Sequence, residues 1–128
     1  LSAFKEILNE KGHSHAVYMD TLSTGTSVHA HAHYSNTKMG ADYLGKKGVP
    51  AEEIGKNCAK LLKKQMDSGA CLDELLADQI LPYMALSGGG KVSVAEVTDH
   101  CRSNIWVIEK FLPVKFIINE NIIECIEK

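Results

Sequence analysis

The stretch from Pro50 to Gly69 constrains the fold most tightly, because both ends of a helix and its buried face are written into it. Proline suits a first helical turn, Glu52 and Glu53 meet the positive end of the helix dipole, and Lys63 and Lys64 meet the negative end. Ile54, Cys58, Leu61, Leu62 and Met66 make one apolar stripe, and Ser68-Gly69 ends it. A helix with one apolar stripe must bury it against another element, so the chain has to build layers.

The remaining periodicities supply those layers. Ser2 to Lys11 carries Phe4, Ile7 and Leu8 at helical spacing. His15 to Met19 reads as a strand, Thr21 to Thr26 as a loop, and Ser27 to Tyr34 as a strand alternating Val28, Ala30, Ala32 and Tyr34 with three histidines. Three glycines among polar residues make Gly40 to Gly48 mostly loop. A second helix is expected from about Leu72 to Leu86, kinked at Pro82, where proline removes a backbone donor. After the Ser87-Gly88-Gly89-Gly90 turn, Lys91 to Glu96 alternates like a strand. Thr98 is a candidate N-cap for a helix to Leu112 with Ile105, Ile108, Phe111 and Leu112 on its apolar side. Pro113 stops that helix, and Val114 to Ile118 with Ile122 to Ile126 forms a hairpin around Asn119-Glu120-Asn121. The fold class is α+β, with helices on one face of mixed sheets.

Composition narrows the function classes. A length of 128 residues allows one domain, or a small domain with a piece of another. Thirteen lysines and the single Arg102 face 16 acidic residues for a formal charge of −2, which argues against binding nucleic acid by bulk charge. Cys58, Cys71, Cys101 and Cys125 form no CxxC pair, so a reduced, cytoplasmic protein is expected. No run approaches the roughly 20 apolar residues of a membrane span. The chain begins at Leu1 without a signal-peptide pattern, as a processed or excised piece of a longer chain would.

Two clusters could carry chemistry. His29, His31 and His33 share one strand face at roughly 6.5–7 Å spacing, and a His-x-His pair can chelate a transition metal. No Cys, Asp or Glu beside them in sequence completes a ligand shell, although His13 and His15 could reach from an adjacent strand; the plainer reading is a solvent-facing strand. His100 is the second candidate. With Thr98 as N-cap it lies in the first helical turn, whose outward N–H groups bind phosphate and whose positive potential favours the neutral, nucleophilic ring. That effect is modest, about 0.3–1 kcal/mol, and Asp99 opposes it. Asn104, at i+4, shares the His100 face and could orient the ring or bind a ligand oxygen. The residues alone also allow a structural or merely exposed histidine.

Ala77-Asp78-Gln79, Pro82-Tyr83-Met84-Ala85-Leu86 with its glycine turn, and the string His100-Cys101-Arg102-Ser103-Asn104-Ile105-Trp106-Val107-Ile108-Glu109-Lys110-Phe111-Leu112-Pro113-Val114 together resemble the C-terminal part of RNA 3'-terminal phosphate cyclases. Gly40-Ala41-Asp42, Leu44-Gly45 and Pro50-Ala51-Glu52-Glu53 extend the likeness upstream. The resemblance implies an ATP-dependent conversion of an RNA 3'-phosphate to a 2',3'-cyclic phosphate through a His–AMP intermediate. His100 falls on the nucleophile, and Asp78, Gln79 and Asn104 on nucleotide-binding positions. Leu75 stands where the family often has an adenine-stacking aromatic or His, and Ser103 where Thr is usual.

On that likeness residues 1–68 are the later part of a small α/β insert domain, and 69–128 the C-terminal part of the large catalytic domain. ATP, a divalent metal (Mg or Mn) and an RNA 3'-phosphate end are the implied cofactors and partners, with no membrane. The acidic metal ligand and RNA-binding arginines of the family fall outside these residues, so the isolated piece should be nearly inactive. The alternatives are a non-catalytic α/β binding or oligomerisation module that shields sheet edges, or a metal-binding domain on His29, His31 and His33.

Overall fold

In the computed structural model, which describes residues 2–8 and 12–128, Pro50 and Gly69 bracket the helix as their chemistry requires. The Pro50 carbonyl accepts the N–H groups of Glu53 and Ile54, and Gly69 takes the left-handed φ of 64° beyond the last turn. The described residues group into two compact units, one holding those up to Ala32 with Gly40–Asp67, the other His33–Met39 with Ser68–Lys128.

In the first unit, α1 (Ser2–Leu8) packs on α2 (Ala51–Asp67), and β1 (Ser27–His33) pairs with β2 (Lys38–Leu44). The end of the expected first helix, residues 9–11, lies outside the described residues. The α2 stripe is buried at Ile54, Cys58 and Leu62, with Leu61 and Met66 half-buried at its margins. The Cys58 Sγ lies 3.6 Å from the carbonyls of both Val28 and Ala41, tying α2 to the inner face of the hairpin. Burial, and then Asp42, pushes the thiol pKa up, which keeps it a neutral donor. Two sequence expectations fail here. His15–Met19 is not a strand but exposed chain, because no ladder partner takes up its backbone groups. Gly40–Leu44, expected as loop, is instead part of the strand Lys38–Leu44, with Met39 and Ala41 buried. Its Gly40 lies beside the His31 ring, where an added Cβ would stand 3.4 Å from Nδ1, so the ring packs where a glycine would otherwise leave a gap.

The second unit holds α3 (Glu74–Leu86), β3 (Gly90–Ser93), α4 (Asp99–Phe111), β4 (Val114–Asn119) and β5 (Ile122–Glu127). The sheet order is β3-β5-β4, antiparallel, with Val92 opposite Ile123 and Phe116 opposite Cys125. Alternation turns Val114, Phe116, Ile123 and Cys125 toward α3 and α4, where they meet Ala77, Leu81, Cys101 and Ile105 in one core. Ile117, Ile122 and Ile126 remain exposed on the other face. The predicted 91–96 strand is shorter: past Ser93 the chain leaves β5, and Val94 instead forms a parallel bridge with Leu72. The second helix begins at Glu74, capped by Asp73, and runs through Pro82 to Leu86. Phe111, expected on the apolar side of α4, is 81% exposed, because at 100° per residue it falls a quarter-turn from the stripe of Cys101, Ile105 and Leu112.

The glycine turn is built into the α3–β3 corner. Gly88 at φ 83° follows the Ser87 C-cap, and the Gly89 N–H bonds the Met84 carbonyl at 2.9 Å, a Schellman termination. Gly89 has φ 134°, and a Cβ there would lie 2.7 Å from the Cys125 carbonyl oxygen of β5. Gly89→Ala should therefore destabilise the protein by about 2 kcal/mol or more, read from the denaturant midpoint. The opposite sign is expected at the β4–β5 turn, where Glu120 adopts φ 53°. Glu120→Gly should raise stability by about 1 kcal/mol, and a loss of stability would refute strain at that turn.

Candidate active site

Three backbone bonds fix how the two helices begin. Leu72 N–H bonds the Ser93 carbonyl at 3.1 Å, Ala95 N–H returns a bond to the Leu72 carbonyl at 2.9 Å, and Cys71 N–H also reaches Ser93. The strands at Leu72 and Val94 are parallel. One segment then enters α3 through Asp73 and the other α4 through Thr98, so both helix N-termini rise from the same end of the unit.

Those two ends are chemically unlike. The Asp73 carboxylate accepts the N–H groups of Leu75 (3.1 Å) and Leu76 (2.8 Å), which places a negative charge on the start of α3. Thr98 is the N-cap of α4, as its sequence position predicts, and its neutral hydroxyl accepts only from Cys101 N–H at 3.3 Å. The N–H groups of Asp99 and His100 have no intrahelical acceptor and point out of the helix end. Of the two N-termini, that of α4 keeps its capacity for an oxyanion.

His100 is exposed at the second residue of α4, and Asn104 is half-buried one turn further along the same flank. α4 packs on β4 and α3 on β5, with the helices in contact along a seam. The opposite flank of α4 carries Glu109, whose carboxylate reaches the free edge of β4, so the His100–Asn104 flank is the one turned toward α3. On α3, Ala77 and Leu81 are buried and Asp78, a step round from Ala77, is half-buried on the flank it shares with Glu74. For two helices rising in the same direction over one sheet, that flank faces α4. His100, Asn104 and Asp78 are therefore brought to one seam. Gln79 is not: it lies one step further round, exposed beside Leu75. Proline at position 82 also removes the i+4 donor of the Asp78 carbonyl, leaving that oxygen available to another donor at the seam.

Over residues 6–118 the chain matches the RNA 3'-terminal phosphate cyclase family. The chain belongs to that family. It is similar to the RNA 3'-terminal phosphate cyclase of Pyrococcus furiosus, 43% identical over 106 residues that span 83% of this chain and 29% of the relative. The cyclase of Korarchaeum cryptofilum is 47% identical over 66% of this chain and 24% of its own length. That of Methanosarcina mazei is 46% identical over 77% of this chain and 27% of its own length. The chain thus spans about a quarter of the cyclases it matches, and the family is one of enzymes.

His29, His31 and His33 are exposed on the outer face of β1, and His29 Nε2 lies 3.1 Å from the Ser27 hydroxyl. Among the described residues no three His, Cys, Asp or Glu side chains are arranged to hold a metal ion, so neither that strand nor the seam assembles donors for one. No helix among them is long and apolar enough to cross a membrane.

Sequence reasoning missed two residues that set the seam's frame. Asp73 is one, although a carboxylate before Glu74-Leu75-Leu76 is a recognisable N-cap signal. Glu109 is the other. Its Oε1 accepts the Phe116 N–H at 2.7 Å on the open edge of β4, and Lys115 Nζ lies 3.5 Å from Oε2. The Phe116 bond, helped against burial by Lys115 and Lys128, holds the Glu109 carboxyl below the usual carboxylate range. A lowered carboxylate pKa stabilises the folded state above the ordinary glutamate value of about 4.3, and that contribution is lost as the pH falls through the folded value. Glu109→Gln should cost about 1 kcal/mol at pH 7, after allowance for solvent screening, and less than that at pH 3, where the carboxylate takes up a proton. A pH-independent difference between the two proteins in urea melts would exclude the charged bond as the source.

Proposed function

We propose that this chain is the nucleotide-handling part of an ATP-dependent RNA 3'-terminal phosphate cyclase, a ligase-class enzyme in which His100 is the nucleophile. The observation that carries the reading is His100 exposed at the open N-terminus of α4, with Asn104 and Asp78 along the adjoining seam, in a chain of this family. An imidazole nitrogen of His100 attacks the α-phosphorus of ATP, the bond to the β-phosphate oxygen breaks, and pyrophosphate leaves. The outward N–H groups of Asp99 and His100 receive the charge that develops on the α-phosphate oxygens. Asn104 holds the ring or a phosphate oxygen, and Asp78 the ring N–H or the ribose. Gln79, on the solvent side of Asp78, meets the nucleotide from outside the seam. AMP then passes to the RNA 3'-phosphate, and closure of the ring by the neighbouring 2'-hydroxyl releases it.

Mg or Mn would neutralise the departing pyrophosphate, but its donors are not assembled among the described residues, and no step is assigned to it. The RNA end likewise needs contacts beyond one positioned histidine, so the 128 residues alone should be inactive or nearly so. Residues 1–68 fit the insert domain and 69–128 the catalytic domain of such an enzyme. The four free cysteines accord with a cytoplasmic setting.

A hybrid enzyme tests this reading directly. Residues 40–118 would replace the matching span of the Pyrococcus furiosus cyclase, and the hybrid would be incubated with α-labelled ATP. An acid-labile, alkali-stable AMP adduct is expected, falling to background with His100→Ala. An adduct that survives that substitution would overturn the assignment.

A further inference from the structure

We propose that the solvent face of α4 centred on Trp106 is a contact surface for single-stranded RNA, on which a base stacks against the indole while Arg102 and Lys110 hold the neighbouring phosphates. Arg102, Trp106 and Lys110 are spaced by four residues and form one stripe along the helix, turned away from the core residues Cys101 and Ile105. Trp106 is 65% exposed, an unusual loss for the largest apolar side chain of the unit. The Lys110 ammonium sits 5.3 Å from the ring centroid, and an indole this exposed has surface left for a second planar group.

Charge decides the class of partner. Around this stripe the fold collects Arg102, Lys110, Lys115 and Lys128, drawn from three separate parts of a chain whose overall charge is −2. Lys128 Nζ bonds the Glu109 carbonyl at 3.4 Å, and Lys115 lies against the Glu109 carboxylate. Glu109, held ionised by the Phe116 N–H, and Asp99, exposed at the N-terminal end of the stripe, offset part of this charge and leave the cations in excess. An apolar protein partner would have to strip water from these cations. A polyanion with aromatic faces satisfies both the cations and the indole. Trp106 lies six residues from His100, about 9 Å along the helix axis, so a strand on this stripe would lead toward the reacting end. The choice of RNA as the polyanion rests on the proposed function, whereas the stacking surface does not.

Trp106 is the single tryptophan of the chain, so its fluorescence reports on this site alone. Titration of the 128-residue protein with a uridylate 12-mer at low salt should quench the emission to a plateau. The slope of log K against log salt should be about −2, the value for roughly three phosphates on a single strand. With a labelled 12-mer followed by anisotropy, Trp106→Leu should bind about tenfold more weakly, and the surface position of the ring spares the fold. Lys110→Gln should reduce the salt slope by about 0.7. Unchanged affinity in Trp106→Leu, absence of quenching, or equal binding of polyglutamate, which has charge but no bases, would each overturn the proposal. The titration needs neither ATP nor a His100 adduct, so its failure and that of the proposed reaction are read separately.

Discussion

The parallel bridge between Leu72 and Val94 is the contact on which the second unit depends. Val94 is fully buried, and the bonds from Leu72 to Ser93 and from Ala95 to Leu72 lock two chain segments side by side in the same direction. Everything that follows inherits that direction. Two helices launched in parallel over one sheet put their N-termini at one end and their facing flanks along one seam. An antiparallel pairing there would have separated His100 from Asp78 by the length of α3. The bridge is a fold-level constraint, yet its consequence is an arrangement of reactive groups.

The unequal capping of those two N-termini divides structural work from chemical work. Asp73 fills the start of α3 with its own carboxylate, which satisfies the N–H groups and repels an incoming phosphate. Thr98 caps α4 with one neutral bond, so the acid at that end, Asp99, is not the group that fills it. At the far end of α4 Glu109 performs the complementary task, fixing the helix to the edge of β4 so that its roll, and with it the heading of His100, is set.

Much of this was legible in the sequence because it is local. Pro50, Thr98 and Pro113 mark helix ends through backbone chemistry that no tertiary contact needs to supply, and Val114–Ile118 with Ile122–Ile126 around Asn119-Glu120-Asn121 marks the hairpin. The His100 string likewise declared both its helix and its flank. What the sequence hid was every feature decided by a partner. Gly40–Leu44 looked like loop because three glycines lie among polar residues from Gly40 to Gly48, yet it pairs in β2 and the His31 ring packs beside Gly40. His15–Met19 looked like a strand because it has the alternation, but no ladder receives it. Val94 read as the middle of a strand, when its partner is Leu72, more than twenty residues earlier. Asp78 announced its motif but not its flank, which follows only from the helix direction that the bridge sets.

The charge balance shows the same distinction between composition and placement. Counted along the chain, 14 basic and 16 acidic residues disperse into a faintly negative protein with no basic run. Folded, the C-terminal Lys128 returns to the carbonyl of Glu109 and Lys115 turns back to its carboxylate, so lysines distant in sequence gather at Glu109, on the helix that carries Lys110, Trp106 and Arg102. The Glu109 carboxylate, held ionised by a backbone N–H, offsets part of that charge, and the lysines around it leave a local surplus of positive charge. A field that acts on a polyanion is local on the scale of about 10 Å at ordinary salt, so the neighbourhood of Trp106 matters and the sum over 128 residues does not. A nearly neutral chain can therefore carry a cationic stripe along the helix that presents His100.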